Sequence, residues 1–281
     1  YYAYLLLHLG NEKEEAWRIV NASNLDAKND PIACFIKANL AMRTDNGDEA
    51  ISILENRPQG EEFHPFYYLD YMTGIAKLQR LDYDAPQYLL NYVNNFKGRN
   101  FIKDAYQKLA WSELLRGNEK GYHTYMERCK SNGYTVVESD QSANNAAKRG
   151  EVPDVGLLKA RLLFDGGRFQ RAFDILKDKK ESDFEPEKNK LELNYRLGRL
   201  THLLGQYGAA LDYYQKTIDK GRGKPWYFAC RAALEKGHIY EKTEQKKLAV
   251  AAFKECLDIS PDEHKQGLHQ QAKAGLRRLK N

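Results

Sequence analysis

Small residues recur along this chain in one register, at similar distances before and after a turn, and that periodicity limits the fold more than any other feature of the sequence. Leu197 and Gly198 are followed by Gly205 to Tyr207, then Ala210, then Tyr214; further on, Gly237, Tyr240, Ala249, Phe253 and Pro261 stand at matching intervals. The register runs backwards through Gly167, Phe169, Ala172 and Leu176, then Gly117, Tyr122, Met126 and Cys129, then Gly74, Asp82, Tyr83 and Leu90, then Ala38, Ala41, Ala50 and Leu54. Units therefore begin near residues 31, 67, 103, 153, 191 and 230, spaced 36 to 39 residues apart except for one interval of 50. Leu9, Gly10, Ala16 and Val20 read as the later part of a further unit.

A unit of this length with one turn near its middle is a helix pair, and a single pair cannot bury its apolar face, so neighbouring units must stack. Gly198 and Gly237 in first helices are expected to face Ala210 and Ala249 in second helices, which lets the two approach closely. Larger groups such as Tyr214, Phe253, Leu176 and Leu90 would fill the gap to the next unit. Gly205-Gln206 and Gly117-Asn118 supply tight turns, because glycine ends a helix without strain. With 42% hydrophobic and 12% aromatic residues the chain can bury a continuous core, and its 8 Pro fall mostly between the periodic segments. The expectation is mostly helix and essentially no strand.

The run from Gly237 to Pro261 resembles the tetratricopeptide repeat, whose signature is W-x2-L-G-x2-Y, then A-x3-F, then P. The resemblance implies an all-α fold, a right-handed superhelical solenoid of antiparallel helix pairs with about six to seven repeats. It also implies a non-catalytic scaffold that binds another protein. The family's first-helix Trp is absent at the matching sites, which carry Asn194, Ala233, Tyr106 and Asp70. Pro86 takes the second-helix alanine site of its unit, so that helix is expected to begin with Pro in its first turn.

Four segments follow from this register. An N-terminal block covers 1–136, an irregular segment 137–152, a C-terminal block 153–263 and a basic capping helix 264–281. In the irregular segment Ser139 is placed to cap a short helix running to Ala147, with Gly150 ending it. In the last segment Leu268, Ala272, Leu276 and Leu279 recur at helical spacing, as a solenoid's terminal helix requires. Tyr1, Tyr4, Leu5 and Leu7 read as a first helix whose partner lies before Tyr1, an apolar end through which the chain is expected to self-associate.

Charge is uneven. The last 66 residues, 216–281, hold 15 Lys and Arg against 8 Asp and Glu, whereas the rest is close to balanced. An acidic partner suits such an end, and nucleic acid is the alternative partner. Cys34, Cys129, Cys230 and Cys256 lie too far apart for a zinc-type spacing and read as small core residues. His264 and His269 share no helical face with further ligands, Pro31 breaks the calcium-like run Asp26 to Asp30, and Gly221 to Lys224 lacks the spacing of a phosphate loop. No metalloprotease, nucleophile-elbow or Walker pattern stands in the sequence, so no catalytic residue, cofactor or metal is expected. No run of about 18 apolar residues would span a bilayer. A soluble chain is the expectation, its compartment is not readable from the sequence, the cytoplasm being slightly favoured, and a start at Tyr1 is compatible with a removed signal peptide.

By the resemblance, first helices line the concave wall. Its inward positions are Asn39 and Arg43, Tyr68 and Tyr71, Gln107 and Trp111, then Arg161 and Asp165, Tyr195, Arg199 and His202, and Arg231, His238 and Lys242. The first half of this list is aromatic and polar; the second is cationic and suits carboxylates, which Arg can bind bidentately. Some family members clamp a terminal carboxylate with Lys, Asn and Arg, but Phe35 and Met72 stand at the matching Lys and Asn sites, so that clamp is not expected. Arg231 also lies four residues before Glu235, where the two can pair on their own helix.

Overall fold

The structure, a computed structural model, describes residues 2–6 and 12–280; Tyr1, Leu7, Leu9 and Gly10, and the side chain of Tyr4, lie outside the described residues. The described residues form sixteen α-helices and no strand. They divide into two compact units, Tyr1–Val155 with Leu162–Arg168, and Gly156–Arg161 with Phe169–Asn281.

The first unit holds α1 (Tyr2–Leu5), α2 (Lys13–Asn21), α3 (Pro31–Arg43), α4 (Gly47–Glu55), α5 (Tyr68–Arg80), α6 (Ala85–Asn95), α7 (Ile102–Leu115), α8 (Glu119–Ser131) and α9 (Glu138–Arg149). The division falls within α10 (Val155–Asp165). The second unit continues with α11 (Phe169–Leu176), α12 (Glu187–Leu203), α13 (Tyr207–Gly221), α14 (Phe228–Lys242), α15 (Lys246–Asp258) and α16 (Lys265–Arg278). Antiparallel pairs α3–α4, α5–α6 and α7–α8 stack in the first unit, and α12–α13 and α14–α15 in the second, where α16 covers the last pair. First helices start at 31, 68, 102, 155, 187 and 228, close to the starts read from the periodicity.

Local chemistry explains the boundaries. Asp30 accepts the Ile32 amide at 2.8 Å with Pro31 in the first turn of α3, and Asn118 accepts the Gly121 amide at 3.0 Å to open α8. Pro86 lies in the first turn of α6, where its missing amide costs no hydrogen bond. Six turns inside helix pairs share one backbone bond, in which an amide reaches the carbonyl five residues back: Asn46 to Ala41, Asp82 to Lys77, Asn118 to Glu113, Arg168 to Leu163, Gln206 to Thr201 and Gln245 to Tyr240, at 2.8–3.0 Å. Each turn carries one residue at positive φ, glycine at 117, 167 and 205 but Asp45, Leu81 and Glu244 in the others. The repeat is thus kept by a hydrogen bond rather than by glycine, and turns without glycine escape a search for one.

Packing is close at the glycines. A Cβ on Gly198 would stand 2.7 Å from the Tyr214 ring, one on Gly74 2.6 Å from Leu89, and one on Gly237 would overlap the Phe253 ring. The small first-helix residue therefore makes its tightest approach to the large residue of its own pair. Phe253 is held from its other side by Gly275 of α16, which is how α16 seals the core of the last pair. The stretch 137–152 holds α9, which packs on α7 and α8 and ends at Gly150 in the left-handed conformation. Ser139 does not cap it; the helix begins one residue earlier, and the Ser139 hydroxyl is buried with no hydrogen-bond partner.

Candidate functional site

In the first unit the expected groove residues are largely consumed by packing. Asn39 accepts a bond from Arg43 Nε at 3.1 Å along α3. Tyr68 stacks on Tyr71 at 5.4 Å between ring centres, both lie about 5 Å from Phe101, and Phe35 and Phe66 extend the cluster. Tyr71 is buried and donates its hydroxyl to Asp104 at 2.7 Å; burial, with Asp104 beside it, pushes this phenol well above its usual range. Lys108 donates to Asp104 at 2.9 Å and Gln107 at 3.2 Å and lies 4.0 Å over the Trp111 ring, so the buried Gln107 and Trp111 are bound into the same network.

The same region holds a device the sequence reading missed. Phe101, the residue before α7, has positive φ and no side-chain cap of its own. Asp140 of α9 supplies the cap from a distance, accepting the Phe101 amide at 2.7 Å and the Asp104 amide at 3.0 Å while fully buried.

In the second unit the expected residues converge. Tyr195, Arg199 and His202 lie about one turn apart on α12, and Arg231, His238 and Lys242 recur on α14. Between them stands Glu235, whose side chain is only 8% exposed. Arg231 Nε donates to its Oε1 at 2.8 Å, and Arg199 lies 3.7 Å from the same oxygen; His238 and His202 place Nδ1 at 3.5 and 3.7 Å from Oε2. Burial raises the pKa of Glu235, yet Arg199, the His238 bond and Arg231 outweigh it and hold the carboxyl well below its usual range. Arg199 also donates to the Tyr195 hydroxyl at 3.1 Å, and Tyr195 packs against Tyr227 and Phe228.

His202 contacts Tyr214 Oη at 3.3 Å and meets the Tyr207 ring edge-on, while Lys242 lies 5.6 Å over that ring. Arg161 is exposed on α10, and its charge, with that of Arg196, acts on the Tyr227 phenol. Asp165 is exposed on α10 but belongs to the first unit. The pairing of Arg231 with Glu235 was legible at its four-residue spacing. The arrival of Arg199 and His202 from α12 was not, because facing across helices leaves no mark in spacing.

Among the described residues no group of three or more His, Cys, Asp and Glu could hold a metal ion, and no helix is long and apolar enough to cross a membrane. The tetratricopeptide repeat model matches residues 231–263, a span that opens on Arg231 and contains Glu235, His238 and Lys242. The crystal structure of the C-terminal part of a TPR repeat-containing protein from Cytophaga hutchinsonii is 15% identical and covers 86% of this chain and 99% of that one, with a TM-score of 0.32. At that score the likeness decides nothing about this molecule. No curated protein matches the chain. Residues 231–263, the α14–α15 pair, thus match a tetratricopeptide repeat, and the other helix pairs share its architecture and its turn bond.

Proposed function

We propose that the chain is a non-catalytic scaffold that holds a partner protein by an acidic segment laid on the first-helix face of α12 and α14. The observation that supports this reading is the convergence of Arg199, Arg231, His202 and His238 on one carboxylate. Two guanidinium groups stand on one face there, and the planar fork of each is the geometry that recognises carboxylates. Their side chains are 20% and 26% exposed, enough for a ligand to reach while remaining shielded from bulk water. Carboxylates of a partner would complete the set, with Lys242 and Arg161 extending the face. In the first unit Asn39, Arg43 and Tyr68 are the positions left nearer the surface, and they make a second contact region in this reading.

Nucleic acid gains little from the basic C-terminal quarter. Lys220, Arg222, Lys224 and Arg278 are engaged by Glu181, Glu255, Glu187 and Glu241. A cationic surface interleaved with carboxylates in this way is a poor match for a phosphate backbone.

A twelve-residue peptide of alternating Glu and Ser, labelled with rhodamine, tests the reading by fluorescence anisotropy at pH 7.5. Glu235→Gln removes the negative charge that faces both arginines and should tighten binding about tenfold, in line with one further Arg-carboxylate pair. Arg199→Gln, Arg231→Gln and Glu235→Gln combined remove cations and anion together, which leaves no buried charge unmatched, and should abolish binding with little loss of helix signal. Equal binding by all three proteins would overturn the proposal.

A further inference from the structure

Cys230 of α14 and Cys256 of α15 bring their sulfur atoms to 3.6 Å, so the two thiols touch. Cys230 Sγ lies 3.4 Å from the Cys256 carbonyl, and Cys256 Sγ lies 4.0 Å from the Leu268 carbonyl of α16; three helices meet at this point. Both residues are fully buried, in a cluster rich in alanine that includes Ala229, Ala233, Ala249 and Ala272. The sulfurs of a disulfide stand about 2.05 Å apart, so about 1.5 Å remains to be closed. That is a movement on the scale of side-chain rotation rather than of helix displacement. Cys34 and Cys129 are as deeply buried but lie on α3 and α8, and neither faces a second thiol among the described residues.

From this geometry we infer that Cys230 and Cys256 are a modification site, at which an oxidant of the hydroperoxide class joins the two thiols in a disulfide that ties α14 to α15. The inference does not depend on which partner the chain binds. The two residues are 26 positions apart, and the bond would link the two helices of the pair that matches the repeat model. In the reduced chain both thiols act as small core residues.

A hydrogen bond from the Cys256 thiol, with the charges of Arg231 and Lys265, holds the Cys230 thiol below its ordinary range against the effect of burial. Cys230 is therefore the first to attack, because the thiolate is the nucleophile. Its sulfur bonds to one peroxide oxygen as the O–O bond breaks, and the departing hydroxide takes up the thiol proton as water. Cys256 Sγ then attacks the sulfenic sulfur; the S–S bond forms, the S–O bond breaks, and the second hydroxide leaves as water with the Cys256 proton. The two sulfurs lose two electrons in all, and the peroxide gains them. Hydrogen peroxide is small and uncharged, and a local opening of α16, whose Leu268 carbonyl faces Cys256, admits it to the pair.

The test treats the reduced, folded full chain with hydrogen peroxide, then denatures it and alkylates every remaining thiol with iodoacetamide. Peptide mass mapping should find Cys230 joined to Cys256 with the loss of two hydrogens, and this pair should be consumed about tenfold faster than Cys34 and Cys129. Dithiothreitol should restore all four thiols. Recovery of Cys230 and Cys256 as alkylated thiols, or as separate sulfinic acids, overturns the proposal; so does a disulfide that takes in Cys34 or Cys129 as readily. The wild-type map decides this without any variant. Cys256→Ser removes the second sulfur, and peroxide should then leave at Cys230 a sulfenic acid that dimedone labels. Labelling of Cys256 in Cys230→Ser, with Cys230 unlabelled in Cys256→Ser, would overturn the assignment of Cys230 as the attacking sulfur.

Discussion

Phe253 shows at a single position how the repeat is held together. Its ring lies between Gly237 of its own pair and Gly275 of α16, with no room for a methyl group on either. Gly237→Ala improves helix propensity by about 1 kcal/mol but forces a fully buried ring to move. Overpacking costs about 1–3 kcal/mol, so the overlap wins and the variant should be less stable. Thermal melts should show Tm falling for Gly237→Ala and recovering in part when Phe253→Leu is added, whereas an unchanged Tm would mean the ring has slack. The sequence marked both residues as repeat positions. It did not show that the glycine receives the Phe253 ring, because the spacing of two helices does not fix which residues meet most closely.

Helix by helix, termination was legible and long-range support was not. Asp30 with Pro31, Asn118, Pro86 and Gly150 all act within a few residues of themselves, and such signals are readable because the backbone group they satisfy is nearby in the chain. The start of α7 has no such signal; its cap is Asp140, 39 residues beyond Phe101. Asp140→Ala would leave two amides at the start of α7 without an acceptor in a buried setting, at a cost of about 1–3 kcal/mol. Amide hydrogen exchange should then speed up in α7 and α9 while α14 and α15 keep their protection. Equal exchange in wild type and variant would show that the capping bond contributes little. The residue was visible in the sequence only as one polar group in the run Glu138 to Ala147.

Over the whole molecule, the buried hydroxyls and thiols set a common dependence on pH. Burial pushes Cys34 and Cys129 up to about 11 and Tyr122 up to about 12, and it raises Tyr92 and Tyr214 as well. These groups keep their protons in the fold above the pH at which the unfolded chain releases them. Their contribution to stability is therefore complete below the ordinary thiol and phenol range and is lost as pH rises through the folded values. Tm should fall steadily between pH 8.5 and 11, and Cys34→Ser combined with Cys129→Ser should remove the earliest part of that fall. A flat profile to pH 11 would show that the thiols are reached by solvent. All four cysteines are unpaired, with Cys230 and Cys256 3.6 Å apart at sulfur between α14 and α15, so the small-core-residue reading holds.

The sequence by itself determined the helix-pair repeat, the near-regular starts of the first helices and the apolar faces, because each of these is written in distances along one chain. A period, a cap and an i,i+4 pair all involve residues whose separation in space follows from their separation in number. Only the tertiary structure decided that Glu235 gathers Arg199 and His202 from α12, that Asp140 caps α7, and that Gly237 receives Phe253. Those meetings depend on the angle and rotation at which one helix packs on another. Ridges and grooves built from many side chains set these at once, and no spacing along the chain encodes them singly.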